Sequence, residues 1–415
     1  MNIDDGREAD LMAPLLGAEP RPPRVDLRQA IGEARRRRRM HRVGGASGVV
    51  AAVAVVAVAV PLGINAARSA APAPRGSGPA SQPPHPSASA SAVPGSVSCT
   101  EQLLPVPDGV TMALVSGGDA SGRYLIGRSY PGNKGDDEQP LIWDNGVAHK
   151  VPINGADPEL VAISTNGTAV GNAFSGGVES AFIYRDGTLS RLGGATNVEA
   201  TSVNNAGTVA GSRDVDHSSL PVVWRTPTSP AKDLPMPSPS WRGTPSAVLD
   251  DGTVIGSVSP SVTSNESRGI VWHPDGTFQL LPLPEIAGAG GINGLWLYNV
   301  RGTVVLGRAV ADTPQMTVFY PVAYDLTTGQ YTDLSTASLN VSAGNSRHWL
   351  VGSGPYSHPG ALLWTPDTGL VKLPNLTGKP DVGDDAVYVS EDGTVIAGDN
   401  TDKHGVSRAV VWRCH

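Results

Sequence analysis

Between residue 110 and the C-terminus the chain states one phrase seven times: a Gly-centred turn, a short β-branched run ending in Gly, a variable loop, and an apolar triplet closed by Trp or Tyr. The closing aromatics are Trp143, Tyr184, Trp224, Trp272, Tyr324, Trp364 and Trp412, at intervals of 41, 40, 48, 52, 40 and 48 residues. A unit of that length holds only a few short strands and cannot bury both faces of its own sheet, so it must stack on copies of itself. Seven such units closed into a ring make an all-β, seven-bladed β-propeller of four-stranded antiparallel blades. Composition agrees, since 50 Gly and 36 Pro among 415 residues interrupt the chain too often for a helical protein.

The third repeat shows how a blade is written. Ala200-Thr201-Ser202-Val203 reads as a strand, Asn204-Asn205-Ala206-Gly207 as a tight turn, and Thr208-Val209-Ala210-Gly211 as the second strand. Leu220-Pro221-Val222-Val223-Trp224 is the third and Lys232-Asp233-Leu234-Pro235 the fourth. Turn glycines stand at 187, 207, 252, 276, 302, 369 and 393, most of them preceded by Asp, Asn or Arg. Asp-Gly pairs also suit calcium, but their place between strands is that of hairpin turns, where a residue without Cβ accepts positive φ. The closing aromatic ends an apolar triplet in each unit and reads as packing between blades.

Two segments, Ser180-Ala181-Phe182-Ile183-Tyr184-Arg185-Asp186-Gly187-Thr188-Leu189 and Val203-Asn204-Asn205-Ala206-Gly207-Thr208-Val209-Ala210-Gly211, resemble the HAF-type extracellular repeats of bacterial surface proteins. The resemblance covers about residues 110 to 413 and implies a β-propeller at the cell surface, with no reaction attached. The chain departs from that pattern at Ser180, where the family has His, and in the sixth repeat, whose first turn is Gly344-Asn345-Ser346-Arg347.

The seventh repeat ends at Trp412 with one strand missing. An orphan stretch, Thr100-Glu101-Gln102-Leu103-Leu104-Pro105-Val106-Pro107, matches the fourth-strand text Phe278-Gln279-Leu280-Leu281-Pro282-Leu283-Pro284. A strand over 99–107 is therefore expected to complete the last blade and remove the exposed edges of an open ring. The two cysteines, Cys99 and Cys414, flank that junction, where other blades have a hairpin turn, and are expected to form a disulfide. The competing reading is two free or metal-binding thiols beside His415.

Upstream, residues 1–42 read as a mostly disordered cytoplasmic stub, with one short helical pattern at Val25–Ile31 and an Arg run at 35–39. Residues 43–67 carry no charge and are long enough for a transmembrane helix; the arginines before it place the N-terminus inside and the repeats outside. A cleavable signal peptide is the rival reading, with small residues around 69–73 as its cleavage region. Residues 68–97 are a Pro/Ala/Ser-rich stalk, and 98–415 form the propeller domain. Residues 1–96 hold 12 of the 31 basic and 7 of the 38 acidic residues, which leaves a formal charge of −12 for the rest. Such a surface repels phosphate, so no nucleic-acid partner is expected.

Within a blade, the loop between the second and third strands and the link to the next blade emerge on one face, and these segments vary most. They supply the candidate ligand-binding set Asp136, Asp137, Glu138, Asp214, Asp216, His217, Trp241, Tyr356, Asp384 and Asp385. Asp157, Glu159, Asp312, Asp381, Asp399 and Tyr130 join them, and His217, His358 and His404 are metal ligands only if different blades bring them together. Such acids favour cationic groups or Ca²⁺; no other cofactor is indicated. Three functions compete. The first is a monomeric binding or scaffold module for a cell-envelope polymer, peptide or protein partner. The second is a sensor passing an external signal to the stub. The third is a glycan hydrolase or lyase using a carboxylate pair across the channel. The sequence contains no Ser-His-Asp signature, P-loop or H-E-x-x-H, so no catalytic residue is assigned.

Overall fold

The computed structural model describes residues 97–415 apart from 131–137, 195, 217, 262–265, 314, 315, 356, 380 and 382. The stub, the apolar segment 43–67 and almost all of the stalk lie outside the described residues. Among the described residues no helix is long and apolar enough to cross a membrane.

The described chain forms seven four-stranded antiparallel sheets, each ordered from inner to outer strand. Blades 1 to 6 are continuous stretches, 112–150, 156–191, 198–233, 242–280, 294–333 and 340–372. Blade 7 joins Asp385–Val389, Val395–Thr401 and Ser407–Cys414 to an outer strand from the other end of the chain, Cys99–Leu103. Each inner strand touches the next all the way round, so the ring is closed. Cys99 pairs with Cys414 in the ladder and is bonded to it, with 4.0 Å between their Cα atoms across 315 residues of sequence. The closing strand is shorter than the expected 99–107. Leu104 still donates to the Ala409 carbonyl, but Pro105 and Pro107 have no N–H to continue the ladder.

The run ending in Gly has a physical cause. In every blade the inner strand bulges by one residue against the second strand: Ser116, Val161, Thr201, Ser246, Tyr298, Ser342 and Val387 are the extra residues. The bulge pushes an inner-strand carbonyl toward the second strand, where Gly127, Gly171, Gly211, Gly256, Gly307, Gly352 and Gly398 stand. A Cβ on Gly256 would lie 2.5 Å from the Thr244 carbonyl and 3.0 Å from the Trp272 ring. Gly256→Ala is expected to destabilise the protein by about 3 kcal/mol in urea titration, because that overlap outweighs the ~0.5–1 kcal/mol gained from a stiffer unfolded chain. Unchanged stability would show that the bulge moves freely.

Bulging also leaves inner-strand backbone groups without ladder partners. In four blades the residue after the second-strand Gly reaches into the next blade to meet them. Asn172 accepts from the Ala200 amide at 2.8 Å, and Arg308 donates to the Val341 carbonyl at 3.1 Å. Ser257 accepts from Leu297 at 2.7 Å and Asp399 from Val115 at 2.9 Å.

The closing aromatics clamp neighbouring blades as expected. Trp143, Trp224, Trp272 and Trp412 are buried, and their indole N–H groups donate to Pro105, Gly193, Pro235 and Pro374, the residues that follow the outer strand of the preceding blade. Blade 5 has Tyr324 in that place. There the Tyr331 ring packs against that of Tyr324, tilted by 50° with 4.7 Å between centroids, and its hydroxyl donates to the Pro282 carbonyl instead.

Candidate functional site

The two faces of the ring differ in use. On one, first hairpins of neighbouring blades tie to one another: Asn166 donates to the Asn205 carbonyl, Asn205 to Asp250, and Asn345 to the Ser390 carbonyl. Arg301 of blade 5 reaches across to the Gly118 carbonyl of blade 1 and lies over Tyr388 of blade 7. The seven turn glycines all have positive φ, so their Asp-Gly pairs serve hairpins. In the first hairpin of blade 6, which lacks such a Gly, His348 takes φ +59° in its place. This is the turn face, and it holds the disulfide.

The opposite, variable face carries the candidate set. Asp136, Asp137, His217 and Tyr356 lie outside the described residues. Glu138 is drawn into an ion cluster with Asp157 and Glu159 around the buried guanidinium of Arg128, at 3.0, 2.5 and 3.2 Å. Burial pushes the Glu138 carboxyl up, and Arg128 opposes it. Asp384 is buried and accepts from the Thr401 and Asp381 amides, both at 2.8 Å, and from Asn375. Asp214 donates its amide to the Asn197 carbonyl, Asp216 is exposed at a hairpin tip, and Trp241 packs partly buried against the core between blades 3 and 4. The set is thus dispersed over several blades, and most described members are committed to structure. Among the described residues, no group of three or more His, Cys, Asp or Glu side chains is placed to hold a metal ion.

A cleft of about 670 Å³ opens beside the closing strand. Leu103, Val106, Ala113 and Leu376 form its apolar wall; Lys403 and His404 stand on its rim, and Arg408 is held by Asp402.

Cross-strand pairs above the bulges form a second feature. They are Leu114 with Arg128, Glu159 with Asn172, Glu199 with Ser212, Thr244 with Ser257, Trp296 with Arg308, Asn340 with Ser353, and Asp385 with Asp399. Because the inner strands line the ring's axis, these pairs form a collar around the channel. In blade 7 the collar holds two carboxyls. Burial raises Asp385 to about 7 despite hydrogen bonds from Ser342, and raises Asp399 well above the usual range, with Asp385 adding to it.

In blade 5 the collar holds Trp296, 41% exposed, and the exposed Arg308. The guanidinium lies over Tyr298 at 5.4 Å. Phe319 and Met316, 57% and 45% exposed, lie on the third strand and in the hairpin before it. None of these four residues is in the candidate set. Their signal was positional: Arg308 follows the second-strand Gly, where most repeats have a smaller residue.

No protein-family model matches the chain, and no curated protein matches its sequence. Solved structures resemble its fold. The β-propeller domain of the trilobed protease from Pyrococcus furiosus, described as having an open velcro topology, aligns at 10% identity. The alignment covers 73% of this chain and 96% of that one, with a TM-score of 0.50. An oligogalacturonate lyase in complex with manganese aligns at 14% identity over 77% of this chain and 94% of its own, with a TM-score of 0.49. TolB from Acinetobacter baumannii aligns at 13% over 62% and 61%, with a TM-score of 0.40. At such identities the likeness is one of fold alone.

Proposed function

We propose that this chain is a binding or scaffold module of the HAF-repeat kind, held outside the cell membrane by a single N-terminal span, whose variable face engages a component of the cell envelope. The observation that carries the reading is the row of exposed apolar side chains on blade 5, Trp296, Met316 and Phe319, on a face that varies from blade to blade. Large apolar groups gathered in one place on a soluble ring are retained where something covers them. The Cys99–Cys414 bond supports export, since such bonds persist in oxidising compartments. Val97 joins the ring at the turn face, beside the Ser98–His415 backbone pair.

The test is retention of envelope components by the full-length protein and by a Met316→Ser/Phe319→Ser double variant. A defined component held by the first and lost, by about tenfold or more in affinity, from the second is expected. Equal retention by both, or none by either, would remove the reading.

A second reading, glycan hydrolysis or elimination, is favoured by one observation. Asp385 and Asp399 are direct cross-strand partners, and both hold their protons to unusually high pH. A carboxyl kept neutral beside another is the arrangement of an acid–base pair. Glycan cleavage by the full-length protein that disappears in Asp399→Asn would move the chain into that class.

A further inference from the structure

We propose that the groove between blades 5 and 6 on the variable face binds a saccharide chain that carries carboxylate groups. This rests on the binding-module reading and names the class of its partner.

Blade 5 stands taller than blade 6. Its second and third strands, Val304–Asp312 and Thr317–Asp325, have nine residues each, whereas Leu350–Ser353 and Ala361–Thr365 have four and five. Among the described residues the upper part of blade 5 therefore has no opposing strand in blade 6, and the inner strands of these two blades touch least of the seven neighbouring pairs. Trp296 pairs with Arg308, Arg308 with Pro321, and Phe319 lies two residues from Pro321. Because side chains alternate along a strand, Trp296, Arg308 and Phe319 share one face. That face looks toward blade 6, since Arg308 donates to the Val341 carbonyl there. Two flat apolar side chains thus flank a guanidinium along one wall of an open groove.

The chemistry selects the occupant. The exposed indole of Trp296 offers a flat apolar surface to the C–H face of a pyranose, with a polar edge left for solvent. Ser338, exposed on the link into blade 6, supplies a hydroxyl for sugar hydroxyls, and Asn340, exposed at the start of the inner strand of blade 6, supplies an amide oxygen while its amide nitrogen donates to the Gly354 carbonyl at 3.3 Å. Arg308 fixes the sign of the charge. Its guanidinium stays exposed, is oriented by Tyr298 below and by the Val341 carbonyl, and makes no ion pair with any described carboxylate. The acids near it are engaged elsewhere: Asp312 accepts from Asn293 and Thr317, and Asp385 from Ser342. A planar, preoriented guanidinium matches a carboxylate better than it matches a neutral hydroxyl.

The full-length protein, in detergent, is titrated with sodium alginate as the uronic-acid polymer, with its propylene glycol ester as the uncharged match, and with poly-glutamate as an acidic peptide. Alginate is expected to bind and to quench Trp fluorescence, at least about tenfold more tightly than the ester. Trp296→Ala is expected to abolish the quench and to weaken binding by about tenfold or more, while Trp296→Tyr retains most of it. Arg308→Gln is expected to erase the preference for alginate over the ester and the weakening by salt. Trp296 and Arg308 are exposed, so unchanged melting curves certify that both variants fold. Alginate binding that survives both substitutions, equal affinity for the ester, or equal affinity for poly-glutamate would overturn the proposal. Retention of an envelope protein through Met316 and Phe319 with no affinity for alginate would overturn it too, while leaving the binding-module reading in place.

Discussion

Reduction of the Cys99–Cys414 bond, or Cys414→Ser, is expected to lower the melting temperature of the full-length protein by on the order of 10 °C. The bond closes a loop of 315 residues of separation, for which the loss of unfolded-chain entropy gives an upper bound of roughly 5 to 6 kcal/mol. The ladder beneath it remains. Five residue pairs from Cys99↔Cys414 to Leu103↔Val410, flanked by the mutual Ser98 and His415 backbone bonds, still hold the outer strand on blade 7. The reduced ring therefore folds but frays at the seam, and limited proteolysis is expected to cut residues 97–107 faster than any other described segment. Melting and cleavage unchanged by reduction would mean that the strand ladder alone carries the closure.

This junction was legible because the orphan stretch at 100–107 repeats the text of a fourth strand, and because each cysteine stands where a hairpin turn is missing. The periodic aromatics and glycines were legible for the same reason: they answer local demands that recur in every blade. What the repeat conceals is why its glycines are needed. A second-strand Gly such as Gly211 reads as the end of a β-branched run, yet it is required by a bulge in the neighbouring strand, and a bulge leaves no residue-type signature of its own. Ser116, Val161 and Tyr298 occupy equivalent bulged positions and have nothing in common in sequence.

The site was less legible for a related reason. Acids on variable loops look available in a sequence, because the partner that neutralises them is distant in the chain. Glu138, Asp157 and Glu159 converge on Arg128, and Asp384 on amides 3 and 17 residues away. Trp296 was missed because an inner strand reads as core, and Arg308 because it stands in the middle of a second strand that reads the same way. Trp296 becomes surface only because the upper part of blade 5 rises above a short blade 6, and strand length is the property that sequence reports least well.

The same blade that needs the disulfide carries the strongest expected pH effect. Glu101, Asp384, Asp385 and Asp399 all belong to blade 7 or the link into it, and burial is the first cause that raises each of them, Glu101 and Asp385 to about 7. A carboxyl whose folded pKa exceeds its unfolded value binds its proton more tightly when folded. Its contribution is complete below about pH 4 and is lost as the pH climbs through about 7. For Asp385 alone the rise from 3.8 corresponds to roughly 4 kcal/mol. Urea midpoints of the full-length protein are therefore expected to fall steadily from pH 4 to pH 8, opposite to a protein stabilised by ionised, paired carboxylates. Asp385→Asn keeps the shape of the protonated side chain without its ionisation, and is expected to match wild type near pH 4 and exceed it at pH 8. Stability that rises between pH 5 and 8, or an Asn variant with the wild-type slope, would show that these carboxyls ionise freely in the folded ring. In Cys414→Ser the outer strand frays and carries Glu101 into water, so part of the slope is expected to vanish with the bond.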